Sequence, residues 1–209
     1  MRTMIAIPCG DTVQALFLSS CLGMQCEGEI NFFVVSGSLI YDARNKIAER
    51  AISEKYDRVL WLDSDMVFQS DLFRRLSDHM DLGRQMVTGL YFKRKAPVQP
   101  VIYSYCGMDL EKDTPRADSY EDYPRDAVFE IEACGMGGCM MTVDLLRKVQ
   151  ERFGCPFSPV LGFGEDFSFC QRVRVLGEQI LCDSSIKLGH IAQQIITEGF
   201  YDNIRRAKT

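Results

Sequence analysis

The sequence has no long hydrophobic run, no CxxC cysteine pair and no excess of positive charge. Its longest apolar stretches, such as 32–35 and 59–62, are far shorter than the ~18 residues that a membrane-spanning helix needs. The CGMGGC stretch has no nearby His or second Cys pair that would complete a zinc site. A net charge of −5 does not favour a broad electrostatic grip on nucleic acid. These absences argue against an integral membrane segment, a zinc module and a general nucleic-acid binder.

Length and composition predict one globular domain over residues 1–209. The chain is 46% hydrophobic and 25% charged, so it can bury a core and is not typical of disordered proteins. The N-terminal MRTMIAIPCG stretch has a single Arg and a short apolar run broken by Pro8, unlike a signal peptide. Nine scattered cysteines are typical of small buried residues in a reducing compartment. We therefore expect a cytoplasmic protein.

Apolar runs alternate with helical patterns in the first half of the chain. The residues after Ser38, which we expect to be an N-cap, carry an apolar stripe at every fourth position: Leu39, Ala43, Ile47 and Ala51. Buried strands are predicted at 3–8, 29–36, 58–62 and 85–91, with further helices at 13–24 and from 70 or 71 to 80. This alternation predicts an α/β fold with a Rossmann-like, mostly parallel sheet and helices on both faces.

The second half of the chain is more irregular. A basic, proline-bearing loop covers 92–100, and the acidic segment 106–127 reads as a surface insertion that is either solvated or covers a site. The remaining strands are predicted at 101–105, 128–133, 139–143 and 179–182. Helices are expected at 144–152, from GEDFSF onward, and at the C-terminus up to Arg205, Arg206 and Lys208.

The stretch VLWLDSDMVF ends a predicted buried strand on two carboxylates, Asp63 and Asp65. Alternate residues of an extended chain point to the same side, so these carboxylates would repel each other unless a cation lay between them. Mg²⁺ and Mn²⁺ prefer such oxygen ligands. Asp is also a favoured turn residue, and a turn that caps the next helix is the alternative. The position at the carboxyl end of a strand, where open α/β sheets bind ligands, favours the metal site.

Three further features could carry chemistry. Glu165 and Asp166 follow a glycine-rich stretch, where they could act at a site or simply cap a helix. His190, after a strand and a glycine, is either a metal ligand or an ordinary polar residue. The other histidine, His79, is expected to lie on a helix face without a partner. Basic residues 93–95 could hold pyrophosphate or an anionic acceptor, or form a solvated loop.

Six stretches occur in a consistent order along most of the chain: IAIPCG, DARNKIAERAI, YDRVLWLDSDM, GMGGCMMTVDLLRKV, GEDFSFCQRVRVLG and the closing LGH. In this order the chain resembles nucleotide-sugar-dependent glycosyltransferases of the GT-A fold, closest to glycosyltransferase family 2. The resemblance implies a single GT-A-like domain. Residues 1–91 would form its nucleotide-binding half, and residues 92–209 its acceptor-side, catalytic half.

The resemblance also implies a divalent metal and a nucleotide-sugar donor, most simply a UDP-sugar. Asp65 would coordinate Mn²⁺ or Mg²⁺, Asp63 would contact the ribose or the metal through water, and His190 would complete the metal shell. The ion would neutralise charge on the departing nucleoside diphosphate. The donor-binding residues implied in addition to Asp63 are Pro8, Cys9, Gly10, Arg44, Asn45, Ser64, Gly137 and Gly138.

Asp166 matches the catalytic base of inverting members and would accept a proton from the acceptor hydroxyl. Glu165 would orient the acceptor. We expect the helix N-terminus to lower the pKa of Asp166. The acceptor is open at this point: a glycan, a small molecule, a protein or a modified nucleic acid.

Two other kinds of protein fit part of the pattern. A haloacid-dehalogenase-like phosphatase also carries DxDx[T/V] after an apolar strand, but on the first strand of its core, whereas the motif here follows the third predicted strand. A non-catalytic nucleotide- or sugar-binding protein could retain the fold. The simultaneous presence of the DxD, ED and His elements favours an enzyme.

Overall fold

A computed structural model of the chain describes residues 1–37, 39–193 and 198. The described strands are β1 (Arg2–Cys9), β2 (Glu29–Ser36), β3 (Arg58–Leu62), β4 (Met66–Val67), β5 (Met86–Leu90), β6 (Ile102–Asp109), β7 (Thr114–Ser119), β8 (Val128–Ile131), β9 (Ala133–Cys134), β10 (Gly138–Thr142), β11 (Ile180–Lys187) and β12 (Gly189–His190). The described helices are α1 (Ala15–Gly23), α2 (Ile40–Ser53), α3 (Leu72–Asp81), α4 (Val143–Phe153) and α5 (Glu165–Val175).

A seven-stranded sheet in the order β2-β1-β3-β10-β5-β11-β8 forms the centre of the molecule. Five of these strands run in one direction, while β10 and β8 run against them. The predicted mostly parallel α/β sheet is therefore confirmed. The sequence pattern did not indicate that β10 inserts antiparallel between β3 and β5.

Strand alternation divides the core into two layers, one on each face of the sheet. Met4 and Trp61 point to a cluster that includes apolar side chains of α2, α4 and α5. Ile5 and Leu60 point to the other cluster, which includes side chains of α1 and α3. Because successive residues of a strand face opposite sides, a run such as VLWL is apolar throughout only when both faces are covered. Helices on both faces are thus confirmed.

Two small sheets extend this core towards one edge. Strand β12 pairs with β4, so that His190 lies opposite Met66. Strand β6 pairs with both β7 and β9. The segment 106–127, predicted as an irregular insertion, therefore holds the end of β6 and the whole of β7 as an exposed hairpin.

Several local predictions need correction. Strand β2 is an edge strand rather than a buried one, because it pairs only with β1, and Phe32 and Val34 are half exposed. Helices α1 and α3 begin without a side-chain cap, and α1 begins at Ala15 rather than at residue 13. The predictions for Ser38 and for the C-terminal helix ending in Lys208 fall outside the described residues.

His79 was expected to lack a partner and instead lies in a buried polar cluster. Its Nε2 is 2.9 Å from Asp183 Oδ2, and its Nδ1 contacts the guanidinium of Arg84. A second oxygen of Asp183 accepts a hydrogen bond from the Ser185 hydroxyl. The partner comes from β11, about a hundred positions along the chain, which is why local pattern did not reveal it. No helix in the described part of the chain is long and apolar enough to cross a membrane.

Candidate active site

The carboxyl ends of β1 and β3 bring two predicted stretches to the same edge of the sheet. The strands pair in parallel register, with Ile5 opposite Leu60 and Ala6 opposite Trp61. Pro8 to Gly10 therefore lie beside Asp63 to Asp65. Position at this edge is expected for ligand-binding loops of open α/β sheets.

Arg44 of α2 forms the centre of a cluster with three carboxylates. Its Nη2 is 2.9 Å from Asp63 Oδ1, and its Nε is 3.5 Å from Glu165 Oε1 and 3.4 Å from Asp166 Oδ1. The guanidinium lies over the Trp61 ring, 5.7 Å from its centroid. One buried cation thus holds the end of β3 against the start of α5.

The burial of Arg44, at 1% exposure, leaves polar atoms without hydrogen-bond partners. Its Nε and Nη1 and the Oδ1 of Asp166 are buried and form no hydrogen bond within the described residues. Buried polar atoms are normally paired, so unpaired ones beside an open cavity are places where a ligand can bind. Sequence reasoning allowed Arg44 to be an exposed helix flank. The signal for its burial was the i+4 row Ile40–Arg44–Ala48–Ile52, in which Arg44 replaces an apolar residue.

Asp166 has a pKa that differs from the sequence-based expectation. Burial, together with the carboxylates of Glu165 and Asp63, raises its pKa to about 7, although Arg44 and the backbone N–H of Met136 lower it. We had expected the helix N-terminus to lower this pKa. The desolvation of a carboxylate and two neighbouring negative charges outweigh that dipole. A carboxyl with a pKa near neutrality is better suited to accept a proton.

Asp65 belongs to a second cluster, with His190 and Arg94. Its Oδ2 is 3.4 Å from His190 Nε2 and forms an ion pair with Arg94. The backbone also joins the two segments, because the Ile191 N–H donates to the Asp65 carbonyl at 2.8 Å. Burial raises the pKa of Asp65, but the hydrogen bond and charge of His190 and the charge of Arg94 lower it below its usual value.

Tyr91 and Phe92, where the basic loop begins, hold the His190 ring. Its Nδ1 is 2.9 Å from the Phe92 carbonyl, and since a carbonyl only accepts, this nitrogen carries the proton. The Tyr91 ring meets the imidazole edge to face at 5.7 Å between centroids. The Asp65 carboxylate raises the pKa of His190 through its hydrogen bond. Because Nδ1 carries the proton in the neutral ring, the lone pair on Nε2 points towards the Asp65 carboxylate.

The donor set at Asp65 and His190 fits a divalent ion. A metal-binding His commonly donates its second N–H to a backbone carbonyl, as His190 does to Phe92. An oxygen and a neutral imidazole nitrogen suit Mn²⁺. Within the described residues, no group of three or more His, Cys, Asp or Glu side chains forms a complete metal site. Asp63 is held by Arg44 instead, so its participation as a ligand remains a prediction.

A cavity of about 380 Å³ collects nearly all the predicted site residues. Its walls come from the β1 end, α2, the DSD stretch, the start of α5 and the end of β12. The predicted residues that line it are Pro8, Cys9, Gly10, Arg44, Asp63, Ser64, Asp65, Glu165, Asp166 and His190. The structure thus brings together predicted residues from five separate parts of the sequence.

Two further cavities adjoin this one. A cavity of about 560 Å³ shares Ser64 and Asp65 with it and extends to Thr12 and Gln14. Another, of about 420 Å³, shares Asp166 and His190 and has a wall of apolar and basic residues: Tyr91, Lys93, Arg94, Lys95, Ala96, Pro97 and Val101. Arg94 lines all three cavities.

Three predicted residues have packing roles and do not line these cavities. The Asn45 amide oxygen accepts a hydrogen bond from the Phe157 N–H at 2.8 Å, which attaches the loop before α5 to α2. A Cβ at Gly138 would overlap Leu188, and one at Gly137 would lie 3.1 Å from the Tyr91 ring. Packing accounts for both glycines, and their approach to a donor sugar stays a prediction.

Sequence reasoning missed Tyr91. It is buried, its hydroxyl accepts a hydrogen bond from the Gly137 N–H at 3.2 Å, and its ring contacts His190. A Cβ at Gly135 would overlap its hydroxyl, so the glycines of GMGG make room for this ring. Tyr91 lies at the end of a predicted strand and contacts a glycine-rich turn far along the chain. Nothing in the neighbouring sequence indicated this contact.

Two solved structures have a similar fold. The crystal structure of A197 from STIV matches with a TM-score of 0.66 and 21% identity, covering 92% of this chain and 87% of that chain. The crystal structure of GalNAc-T7 with UDP, GalNAc and Mn²⁺ matches with a TM-score of 0.63 and 12% identity, covering 92% of this chain and 44% of that chain. No protein-family model matches the sequence, and no curated protein matches it.

At these identities the likeness defines the fold. The chain is a mixed α/β domain with a GT-A-like fold, the fold of the glycosyltransferase GalNAc-T7. The three cavities, with Asp63, Asp65 and His190, lie at the carboxyl edge of the central sheet.

Proposed function

We propose that the protein is a metal-dependent glycosyltransferase of the family 2 type, which moves a sugar from a nucleotide-sugar to an acceptor hydroxyl. The observation that carries this proposal is the shared cavity in which Asp65 and His190 face each other and Asp166 lies on another wall. A GT-A-like fold supports the same chemistry. GalNAc-T7 with UDP and Mn²⁺ bound supports the choice of a UDP-sugar and of Mn²⁺ or Mg²⁺.

In this proposal the nucleoside lies along Pro8, Cys9 and Gly10, with its ribose near Asp63. Asp65 and His190 hold the divalent ion, which when bound neutralises charge on the departing nucleoside diphosphate. The exposed guanidinium of Arg94, which pairs with Asp65 here, is free to move to the diphosphate.

Asp166 acts as the base that takes the proton of the acceptor hydroxyl. Its pKa of about 7 keeps it largely ionised at slightly alkaline pH and makes it a stronger base than an ordinary Asp. Glu165 orients the acceptor, and Arg44 holds both carboxylates in place through its ion pairs. A candidate base in the same cavity as Asp65 and His190 supports an inverting transfer.

The test is a measurement of thermal stability with UDP, GDP, CMP or dTDP, each in the presence of Mn²⁺ or of EDTA. A ligand that binds only the folded chain at 100-fold its dissociation constant stabilises it by about 2.7 kcal/mol. We expect UDP to stabilise the protein in Mn²⁺ and not in EDTA.

The matched variant is Asp65→Ala, which we expect to fold normally and to lose the response to UDP in Mn²⁺. A well-folded protein that responds to none of the four nucleotides would overturn the proposal. Release of phosphate from p-nitrophenyl phosphate would then be measured, since a haloacid-dehalogenase-like phosphatase is the competing interpretation of the DSD stretch.

A further inference from the structure

The basic loop 92–100 lines the cavity beside Asp166, although its residues 94–98 are themselves exposed. Its two ends are joined by the Lys93 N–H, which donates to the Gln99 carbonyl at 2.9 Å, and by a bridge between Phe92 and Pro100. The Val101 N–H donates to the Tyr91 carbonyl at 2.9 Å. The loop is thus closed at its base, and it carries three consecutive cations, Lys93, Arg94 and Lys95.

These cations line the cavity that adjoins Asp166. Lys93, Arg94 and Lys95 share that cavity of about 420 Å³ with Asp166 and with an apolar wall that includes Tyr91. The nucleotide-side residues Pro8 to Gly10 line a different cavity. Arg94 lines that cavity as well, and Lys95 also lines the one at Ser64 and Asp65. Among these three cavities, Lys93 lines only the one beside Asp166.

Two of the three cations have no carboxylate partner within the described residues. Arg94 pairs with Asp65, but Lys93 is held by the neutral amide of Gln99 at 2.9 Å and lies 5.6 Å from the Tyr103 ring centroid. Lys95 forms no ion pair in the part of the chain that the structure describes. The carboxylates of this cavity, Asp63 and Asp166, already face Arg44.

Uncompensated positive charge in this cavity contrasts with the rest of the molecule. The chain carries a net charge of −5, so a cluster of cations does not reflect its general composition. A long polyanion would meet repulsion outside the cavity. A small molecule with one charged group could face the lysines, while Arg44 balances the carboxylates Asp63 and Asp166 of the same cavity.

We infer that the acceptor is a small hydroxyl compound with a negatively charged group, a phosphate or a carboxylate, close to the hydroxyl that reacts. This inference rests on the proposed function, because it assigns the cavity beside Asp166 to the acceptor. Lys93 and Lys95 bind the charged group, and the cavity wall that includes Tyr91 packs against the apolar part of the acceptor.

The experiment uses the whole chain saturated with UDP and Mg²⁺, so that the donor phosphates are already bound. Glucose 6-phosphate, glucuronate and neutral glucose are titrated as probes by calorimetry at low ionic strength. We expect at least one charged probe to bind 10-fold or more tightly than glucose, and the phosphate and carboxylate probes distinguish the two sources of charge. Added salt should reduce this preference.

The test variant is Lys93→Gln combined with Lys95→Ala, and the control is Lys148→Ala, which removes a lysine from α4 outside all three cavities. We expect the double variant to bind charged probes as weakly as glucose and to keep its affinity for UDP. The control should retain the preference.

Three results would overturn the inference. If no charged probe binds better than glucose, the cavity does not select an anionic acceptor. If UDP affinity falls 10-fold in the double variant, the lysines hold the donor diphosphate instead. If UDP does not bind to the unmodified protein at all, the glycosyltransferase proposal fails first, and the inference fails with it.

Discussion

Asp63 and Asp65 are separated by one residue, yet they belong to two clusters of different character. Asp63 pairs with Arg44, whose side chain is 2% exposed, whereas Asp65 pairs with Arg94, whose side chain is 51% exposed. A buried guanidinium cannot leave its carboxylates without a large desolvation cost, while an exposed one can move to a ligand. The first cluster is preformed structure, and the second is the one to which we assign the metal ion and the diphosphate in the proposed function.

The end of β3 explains why the two aspartates diverge. The strand ends at Leu62, and residues 64 and 65 form a turn. Side-chain alternation holds only while the backbone is extended, so the expectation that the two carboxylates face one cation does not apply beyond Leu62. Of the two alternatives for DSD, the turn is present: it separates the aspartates, and Asp65 lies near His190. The metal site stays a prediction.

The largest expected effect concerns the base, which the first cluster holds. Asp166→Asn should lower the rate of UDP release from a UDP-sugar by about 10²- to 10⁴-fold, the usual contribution of a positioned base. The change is isosteric and should leave UDP binding in Mn²⁺ unaltered. Unchanged turnover in this variant would remove Asp166 from the mechanism.

The two arginines should differ most in their effect on stability. Arg44→Met leaves three carboxylates without their cation, and we expect the free energy of unfolding in urea to fall by about 3 kcal/mol. Arg94→Met removes an exposed ion pair and should cost about 0–1 kcal/mol. Equal losses in the two variants would contradict the contrast between a preformed and an open cluster.

Exchanging the aspartates for asparagine sharpens the comparison further. Asp65→Asn should lose most of the about 2.7 kcal/mol by which UDP at 100-fold its dissociation constant stabilises the protein in Mn²⁺. Asp63→Asn should instead lower stability in the absence of any ligand, because it weakens the ion pair with Arg44. Thermal unfolding with Mn²⁺ or EDTA measures both effects. If the two variants changed the response to UDP and the stability without ligand to the same extent, the proposed division of roles would be wrong.

Stability should depend on pH through Asp166. An unfolded Asp releases its proton near pH 3.9, whereas the folded carboxyl holds it up to about pH 7. The folded chain therefore binds more protons between these values, and stability is lost as pH rises from about 4 to 7 and then levels off. In EDTA, the Asp166→Asn variant should lack this component of the decline, whereas the component from the raised pKa of His190 should remain in both proteins.

The rate of transfer should show the opposite trend with pH. Because the ionised Asp166 carboxylate is the base in the proposed mechanism, kcat/KM should rise with pH through about 7. Arg44→Met should move this rise to higher pH, since the guanidinium lowers the pKa of Asp166, and Arg44→Lys should restore part of the shift. A profile that is flat from pH 5 to 9 would contradict the assignment.

The smallest effect is expected at Asn45, which sequence reasoning assigned to the donor site. Asn45→Ala removes the hydrogen bond from the Phe157 N–H and should cost about 1 kcal/mol in unfolding free energy. UDP affinity in Mn²⁺ should not change. A clear loss of affinity without a loss of stability would return Asn45 to the nucleotide site.

The α/β class followed from local patterns because they depend on periodicities of two and 3.6 residues. Of the predicted α2 stripe, Ala43, Ile47 and Ala51 are buried as expected, whereas Leu39 precedes the helix and is exposed. Strand β3 covers the predicted residues. The carboxylates after β3 and before α5 could be singled out because their positions relative to these elements are also local. Candidate functional residues at the ends of helices and strands can therefore be identified from the sequence.

The geometry of the site depended on contacts between residues far apart in the chain. His190 reaches Asp65 because β12 pairs with β4, and Arg44 reaches Asp166 because α2 and α5 pack against the same face of the sheet. No periodicity encodes such pairings, since they result from how the whole chain buries its two apolar layers. The sequence by itself determined which residues could act. Only the tertiary structure decided that Asp63 is held by a buried arginine and that Asp65 faces His190. It also decided that the pKa of Asp166 is raised by desolvation rather than lowered by the helix N-terminus.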